Sequence, residues 1–259
     1  LKFKHCSARA WRHIACAMAS PPPKRLPADV QLVLFDMAGT TVDDLVDGVP
    51  LVIAAFRAAM LAHNGSQVDF EQANAVRGYE KREALRRLLQ STRGLDVGDV
   101  DEAEVDALFK IFKVELDKLT AEMRTEVVGA SATFAQLRQR GIAVYVGSGF
   151  PEKVVQTIVE NMGWKVDGAF SSEALGAGRP DPIMVRAAME KSGVTDSRRV
   201  VKVGDTVVDV EEGHNAQAFT VAVLTGTQSR EKLQAAGPDF IIPSVAELPE
   251  LFDWPPSSM

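Results

Sequence analysis

The chain predicts an α/β fold, a doubly wound parallel sheet with an inserted all-helical domain, and three observations carry that expectation. First, apolar, β-rich runs recur at 30–35, 142–146, 200–203, 219–224 and 240–242. Second, helical patterns at 131–140, 152–162, 182–191 and 208–217 alternate with them, and Gly141, Gly163 and Gly193 stand as helix stops. Nearly all-apolar strands alternating with amphipathic helices indicate a parallel sheet covered on both faces. Third, between 46 and 125 only helical patterns occur, at 51–63, 70–76, 81–90 and 102–123. A segment that long is no connecting loop and must bury an apolar face of its own. The expected organisation is a tail over 1–28, a core over 29–45 and 126–259, and a helical cap domain over 46–125.

Composition bounds the function. The 259 residues are 46% hydrophobic, enough for one sizeable core and a smaller satellite. A formal charge of −6 gives no basic footprint for nucleic acid. No apolar run approaches the roughly 20 residues that span a bilayer, so no membrane partner is expected. Both cysteines, Cys6 and Cys16, lie in the first twenty residues, which suits a reducing, cytoplasmic compartment. Those twenty residues are rich in Arg, Lys and Ala, lack acids, and run into Pro21-Pro22-Pro23-Lys24-Arg25. An organelle targeting segment, an unstructured tail, and upstream sequence before a true start at Met18 are all readings of that stretch.

In doubly wound sheets ligands bind beyond the carboxyl ends of the strands. The first run delivers Asp36, Gly39, Thr40 and Thr41; the second Gly147, Ser148 and Gly149; the third Gly204, Asp205, Thr206 and, one turn on, Asp209. Between them lies the loop Gly178-Arg179-Pro180-Asp181-Pro182. Each signal alone is ordinary turn or cap chemistry. Four of them, in order and each at a predicted strand end, suit phosphoryl transfer through a carboxylate. Asp36 would attack phosphorus, dividing one hard displacement into two. Asp36, Asp205 and Asp209 offer the oxygen ligands that Mg²⁺ prefers. Ser148 and nearby backbone N–H groups, with Thr40 and Gly149, would hold phosphate oxygens, and Arg179 would offset charge in the transition state.

These motifs, Asp36-Met37-Ala38-Gly39-Thr40-Thr41, Ser148-Gly149, Gly178-Arg179-Pro180 and Gly204-Asp205-Thr206-Val207-Val208-Asp209, resemble those of the haloacid dehalogenase superfamily of hydrolases, in family order. The likeness is greatest to its phosphonatase-like branch, which carries Ala two residues after the nucleophile and Arg in the third motif. The resemblance implies Asp36 as nucleophile, Asp205 and Asp209 on Mg²⁺ directly or through water, and the backbone carbonyl of Ala38 as a further metal ligand. Most phosphatases of the superfamily have Asp where Ala38 stands, to protonate the leaving oxygen. In the phosphonatase a cap lysine forms an imine with the substrate's aldehyde, and the iminium takes the electrons of the breaking C–P bond. Gly78-Tyr79-Glu80-Lys81 matches the family's Gly-x-x-Lys spacing, which makes Gly78 a substrate-binding and Lys81 a catalytic candidate. Without the resemblance, Lys81 reads as a solvent-exposed lysine beside Arg82; as an imine former, it would have its pKa lowered by Arg82 and by burial as the cap closes.

Two positions depart from the branch. It has Met before that glycine and His three residues after the lysine, where this chain has Arg77 and Ala84. Arg77 reads either as a surface residue or as a contact for a second anionic group. The expected activity is Mg²⁺-dependent hydrolysis of a small phosphorylated or phosphonylated metabolite. Phosphonatase chemistry proper, a phosphate-monoester phosphatase and a non-catalytic binding protein stay open beside it. The helical pattern at 51–60 is apolar enough for cap core or for a homodimer surface.

Overall fold

The computed structural model describes residues 25–95, 99–121 and 123–254. The tail expectation for 1–24 lies outside the described residues. Within 25–28, however, Leu26 is buried and forms a parallel bridge with Phe252, donating its N–H to Leu251 O at 2.8 Å. The folded chain therefore starts before residue 29, because Leu26 is an apolar anchor that the C-terminal segment covers.

Six parallel strands form the main sheet: β1 (Leu32–Asp36), β4 (Ala143–Ser148), β5 (Gly168–Ser171), β6 (Val200–Gly204), β7 (Phe219–Val223) and β8 (Phe240–Ile242). Their spatial order is β5-β4-β1-β6-β7-β8, which puts β1 at the centre with strands on both sides. All five residues of β1 are buried. Alternation along the strand sends Val33 and Phe35 to one face and Leu32 and Leu34 to the other. Phe35 meets Phe134 of α5 (Ala130–Gln139) edge-on at 5.0 Å, and Leu32 and Leu34 pack with Met184 and Val185 of α8 (Ile183–Ser192). Truncating Phe35 to Ala would cost about 3–5 kcal/mol by the usual core penalty. Around these strands lie α6 (Glu152–Met162), the short α7 (Ser172–Leu175), α9 (Val207–Asn215) and α10 (Arg230–Ala235).

The helical insertion is entered through a small hairpin, β2 (Leu45–Val46) and β3 (Val49–Pro50), whose turn Asp47-Gly48 has positive φ at both residues. Four helices follow: α1 (Leu51–Asn64), α2 (Phe70–Ala75), α3 (Lys81–Arg93) and α4 (Glu102–Thr120). The apolar side of α1 packs inside the insertion, with Phe56 stacked on Phe112 of α4 at 5.0 Å. That face is insertion core, so it supplies no dimer surface. Asp69, Glu80 and Asp101 cap α2, α3 and α4 with their side chains. The chain leaves the sheet and returns to it side by side: Val42 bridges Glu126 antiparallel, and Val127 N–H reaches Thr41 O at 2.9 Å. Among the described residues no helix is long and apolar enough to cross a membrane.

Candidate active site

Asp36, the last residue of β1, lies in register with Gly147 of β4, so Ser148 and Gly149 emerge next to it. On the other side β6 ends at Gly204, followed by Asp205 and by Thr206, the N-cap of α9. Thr206 and Asp209 cap each other: the Thr206 hydroxyl donates to Asp209 Oδ2 at 2.6 Å, and Thr206 N–H donates to the same oxygen at 3.1 Å. Oxygen atoms of Asp36, Asp205 and Asp209 lie within 4.8 Å of one another, all buried.

Two core cations hold this cluster together. Arg179, from the loop before α8, donates through Nη1 to Asp36 Oδ1 and to Asp209 Oδ1, each at 2.6 Å. Lys202 rises from the middle of β6 to 3.0 Å from Asp209 Oδ1 and 3.1 Å from Glu212 Oε2. Burial would raise the Asp209 pKa, but Lys202 and Arg179 outweigh it and hold the carboxyl down to about 2. Burial pushes Asp205 up to about 7 against the pull of Arg77. It raises Asp36 too, with Arg179 opposing.

The insertion supplies the opposite wall. Gly78 has φ +100°, and a Cβ there would come within 2.7 Å of the Thr206 hydroxyl, so only glycine lets this turn rest on α9. Three residues on, Lys81 is 3% exposed; its Nζ donates to Tyr79 O at 3.2 Å and lies 5.2 Å from the centre of the Phe150 ring. Burial and the nearby Arg179 guanidinium push its pKa down to about 7. The reading of Lys81 as a solvent-exposed lysine is thus replaced. Arg82 is not the neighbour responsible, since it pairs with Asp106 on the outer side of the insertion.

Arg77 is no surface residue either. At 3% exposure it donates from Nη2 to the Ala38 carbonyl at 3.0 Å and to Asp44 Oδ1 at 3.1 Å, and from Nη1 to the Thr227 hydroxyl at 2.9 Å. Nη1 also stands 3.5 Å from Asp205 Oδ2, close enough for an ion pair but too far for a hydrogen bond.

Several predicted residues are committed differently from expectation. The Thr40 hydroxyl donates to Asp205 Oδ1 at 3.0 Å, so it props a carboxylate instead of facing a phosphate. Ser148 Oγ accepts from Phe150 N–H at 3.2 Å. The Ala38 carbonyl, expected on the metal, faces Arg77. Both oxygens of Asp209 are taken, whereas Asp205 Oδ2 is buried and accepts no hydrogen bond from any described residue. The oxygen donors thus suit a hard divalent cation, with Asp36 and Asp205 the members best able to bind it directly and Asp209 behind them.

Sequence reasoning missed Lys202, Glu212 and Asp44. Lys202 left a signal, a single charge inside the apolar run Val200-Val201-Lys202-Val203, where a buried polar residue is the informative one. Glu212 and Asp44 left none, since acids near a helix or turn are common. Between the two walls, the space lined by Asp36, Lys81, Ser148, Arg179 and Thr206 measures about 10 Å³, barely one water's worth.

A doubly wound core with strand-end carboxylates facing two cations of the insertion, Arg77 and Lys81, defines a class, and comparison with known proteins gives it a family. Residues 30–217 match the haloacid dehalogenase-like hydrolases. The chain belongs to that family and is an enzyme of it, a hydrolase. It is 28% identical over 249 residues to the phosphonoacetaldehyde hydrolase of Parabacteroides distasonis, covering 84% of this chain and 93% of that one. Identity to the Bacillus cereus (strain B4264) phosphonoacetaldehyde hydrolase is 30% over 207 residues, 76% of this chain and 77% of the other. Among solved structures, a phosphonoacetaldehyde hydrolase-like protein from Oleispira antarctica superposes with a TM-score of 0.73 at 23% identity, covering 89% and 94% of the two chains. A β-phosphoglucomutase from Clostridium difficile shares the fold with a TM-score of 0.70 at 16% identity, covering 85% and 93%.

Proposed function

We propose that the protein is a Mg²⁺-dependent hydrolase of a small phosphonylated carbonyl compound, acting through an aspartyl-phosphate on Asp36 and an imine on Lys81. The observation that carries this reading is Lys81 itself. It is buried opposite the carboxylate that would attack phosphorus, pairs with no carboxylate among the described residues, and is pushed down to about 7 by burial and Arg179. A lysine that is partly neutral near pH 7 can add to a carbonyl carbon. The names of the curated relatives point to the same substrate class.

Nζ of Lys81 adds to the substrate carbonyl and water leaves, giving an iminium. Asp36 then attacks phosphorus; the C–P bond breaks and its electron pair moves into the iminium, forming an enamine. Protonation at carbon and hydrolysis release the carbonyl product and free Lys81. Water finally cleaves the aspartyl-phosphate, returning Asp36 and releasing phosphate. Because the iminium accepts the electrons, no acid is needed at position 38, and Ala38 suffices. Arg179 offsets charge on the phosphoryl oxygens, while Ser148 and the backbone around Gly149 and Gly78 orient them. When bound by Asp36, Asp205 and the Ala38 carbonyl, Mg²⁺ would relieve the repulsion between the attacking carboxylate and the substrate's anionic group.

The insertion, 46–125, would act as a cap domain. A site with room for one water cannot admit substrate until the cap lifts, and the paired connections at Val42 and Glu126 suit a hinge. The same reading takes the protein to be cytoplasmic, as its cysteine usage suits.

Phosphonoacetaldehyde, Mg²⁺ and borohydride test it. The expected result is a reduced adduct on Lys81, loss of turnover, no phosphate release by Asp36→Asn, and none by Lys81→Arg, which keeps the charge but cannot form an imine. No adduct, with substantial turnover in Lys81→Arg, would move the enzyme to the phosphate-monoester phosphatases.

A further inference from the structure

Arg77 has a position that the reaction just described does not use. Its guanidinium reaches from the insertion to two groups that the proposed metal would need, the Ala38 carbonyl at 3.0 Å and the unbonded Asp205 Oδ2 at 3.5 Å. The approach is tight: a Cβ on Gly39 would lie 2.6 Å from Arg77 Nη2 and 2.8 Å from Asp205 Oδ2, so this corner tolerates only a glycine. The remaining bonds of Arg77, to Asp44 and Thr227, tie the insertion to the core, and Thr227 also meets Asn74 of α2.

Charge sharpens the picture. Among the described residues the buried charged ones are Asp36, Asp44, Asp205, Asp209 and Glu212 against Arg77, Lys81, Arg179 and Lys202. Arg77 is the one of those cations that pairs with Asp205. A second cation on the same carboxylate must either repel Arg77 at a few ångströms in a poorly screened interior or replace it.

We propose that Arg77 is a resident cation that shares the seat of the divalent metal. In the metal-free shut form it neutralises Asp205 and occupies the Ala38 carbonyl; metal loads only as the Arg77 side chain withdraws from both, so metal binding and these Arg77 contacts are antagonistic, while Lys81 remains free to close on Asp36. This rests on the metal-dependent part of the function proposed above. It also makes the arginine at position 77 a consequential difference from the phosphonatase-like pattern, in which a methionine at this place could not compete for the carboxylate.

The test compares wild type with the double variant Arg77→Met/Asp44→Asn. That change removes one buried charge of each sign, so the net charge of the site is preserved and Asp44 is not left unpaired. Mn²⁺ alone, titrated into the whole protein and followed by electron paramagnetic resonance, should bind the variant about tenfold tighter or more, as expected when a contact cation is removed. In wild type, Mn²⁺ should also speed hydrogen exchange of the amides at 74–81; in the variant that acceleration should be lost. Circular dichroism checks that both proteins are folded. Equal or weaker Mn²⁺ binding by the folded variant overturns the role of Arg77 and leaves the metal reading standing. Failure of both folded proteins to bind Mn²⁺ overturns the metal reading and this inference with it.

Discussion

Lys81 and Lys202 are both buried in one site, at 3% and 1% exposure, and their protons move in opposite directions. Lys202 comes from the sheet and lies between Asp209 and Glu212; burial would lower its pKa, but Glu212 and Asp209 raise it overall. Lys81 comes from the insertion and, among the described residues, meets a carbonyl and an aromatic face but pairs with no carboxylate, and its pKa falls to about 7. Desolvation disfavours both ammonium groups; what differs is the partner set. A paired lysine keeps its charge and works as scaffold, whereas an unpaired one gives up its proton and can act as a nucleophile. The sheet lysine is held by ion pairs, whereas the insertion lysine is left without one, although Arg77 four residues before it is paired with Asp44 and Asp205.

The strongest way to break this comparison is to remove the scaffold lysine. Lys202→Met would leave Glu212 without its cation in a dry interior and Asp209 Oδ1 with Arg179 alone, which costs about 3–5 kcal/mol for a broken buried pair. Chemical denaturation should register that loss near neutral pH, and turnover should fall with it because Asp209 and Arg179 lose their fixed geometry. A Lys202→Met protein as stable as wild type would show that Glu212 is already protonated and that Lys202 is not held by ion pairs.

That asymmetry also decides what could be read from the sequence. The sheet side was legible because Asp36, Ser148, Arg179, Asp205 and Asp209 each follow an apolar run or open a helix, and a parallel sheet gathers all its strand ends on one edge. Lys81 was legible only through a family spacing, since a lysine at a helix start is by itself unremarkable. Arg77 was misread because its partners, Ala38, Asp44, Asp205 and Thr227, lie between 33 and 150 residues away in the chain. Of the fold, β5 was missed: Gly168-Ala169-Phe170-Ser171 is too short and too poor in branched residues to announce a strand. The β2–β3 hairpin, two residues a side, fell below what alternation can reveal.

A smaller effect should follow from holding the two sides apart. Gly78→Ala puts a methyl group 2.7 Å from the Thr206 hydroxyl at a backbone φ of +100°. The strain and clash together should cost about 2–3 kcal/mol in the shut arrangement. Part of that cost can be relieved by lifting the insertion, so the variant should exchange amide hydrogens faster around 77–81 while the sheet stays protected. Uniform loss of protection across the protein would instead mean that insertion and sheet open as one unit.

The smallest effect, and the most diagnostic, is a pH dependence of stability carried by Lys81. Its folded pKa of about 7 lies below the unfolded value of 10.5. Below pH 7 both states bind the proton, and the folded protein bears the full cost of a buried unpaired ammonium. Between pH 7 and 10.5 the unfolded chain binds a proton that the folded one does not, so the cost fades as pH rises. The shift alone would correspond to at most roughly 4–5 kcal/mol. Methionine forfeits the Tyr79 and Phe150 contacts, so Lys81→Met should stabilise the protein by only about 1–2 kcal/mol at pH 6.5, with that gain shrinking steadily toward pH 9.5. Lys202, whose pKa is raised, sets the opposite control: Lys202→Met should be destabilising across the same window. Denaturant midpoints for the two variants at four or five pH values would read both slopes. If Lys81→Met lost stability at pH 6.5, or its difference from wild type were flat with pH, Lys81 would be a charged, partnered lysine like Lys202, and an unprotonated amine facing Asp36 would no longer explain the chemistry.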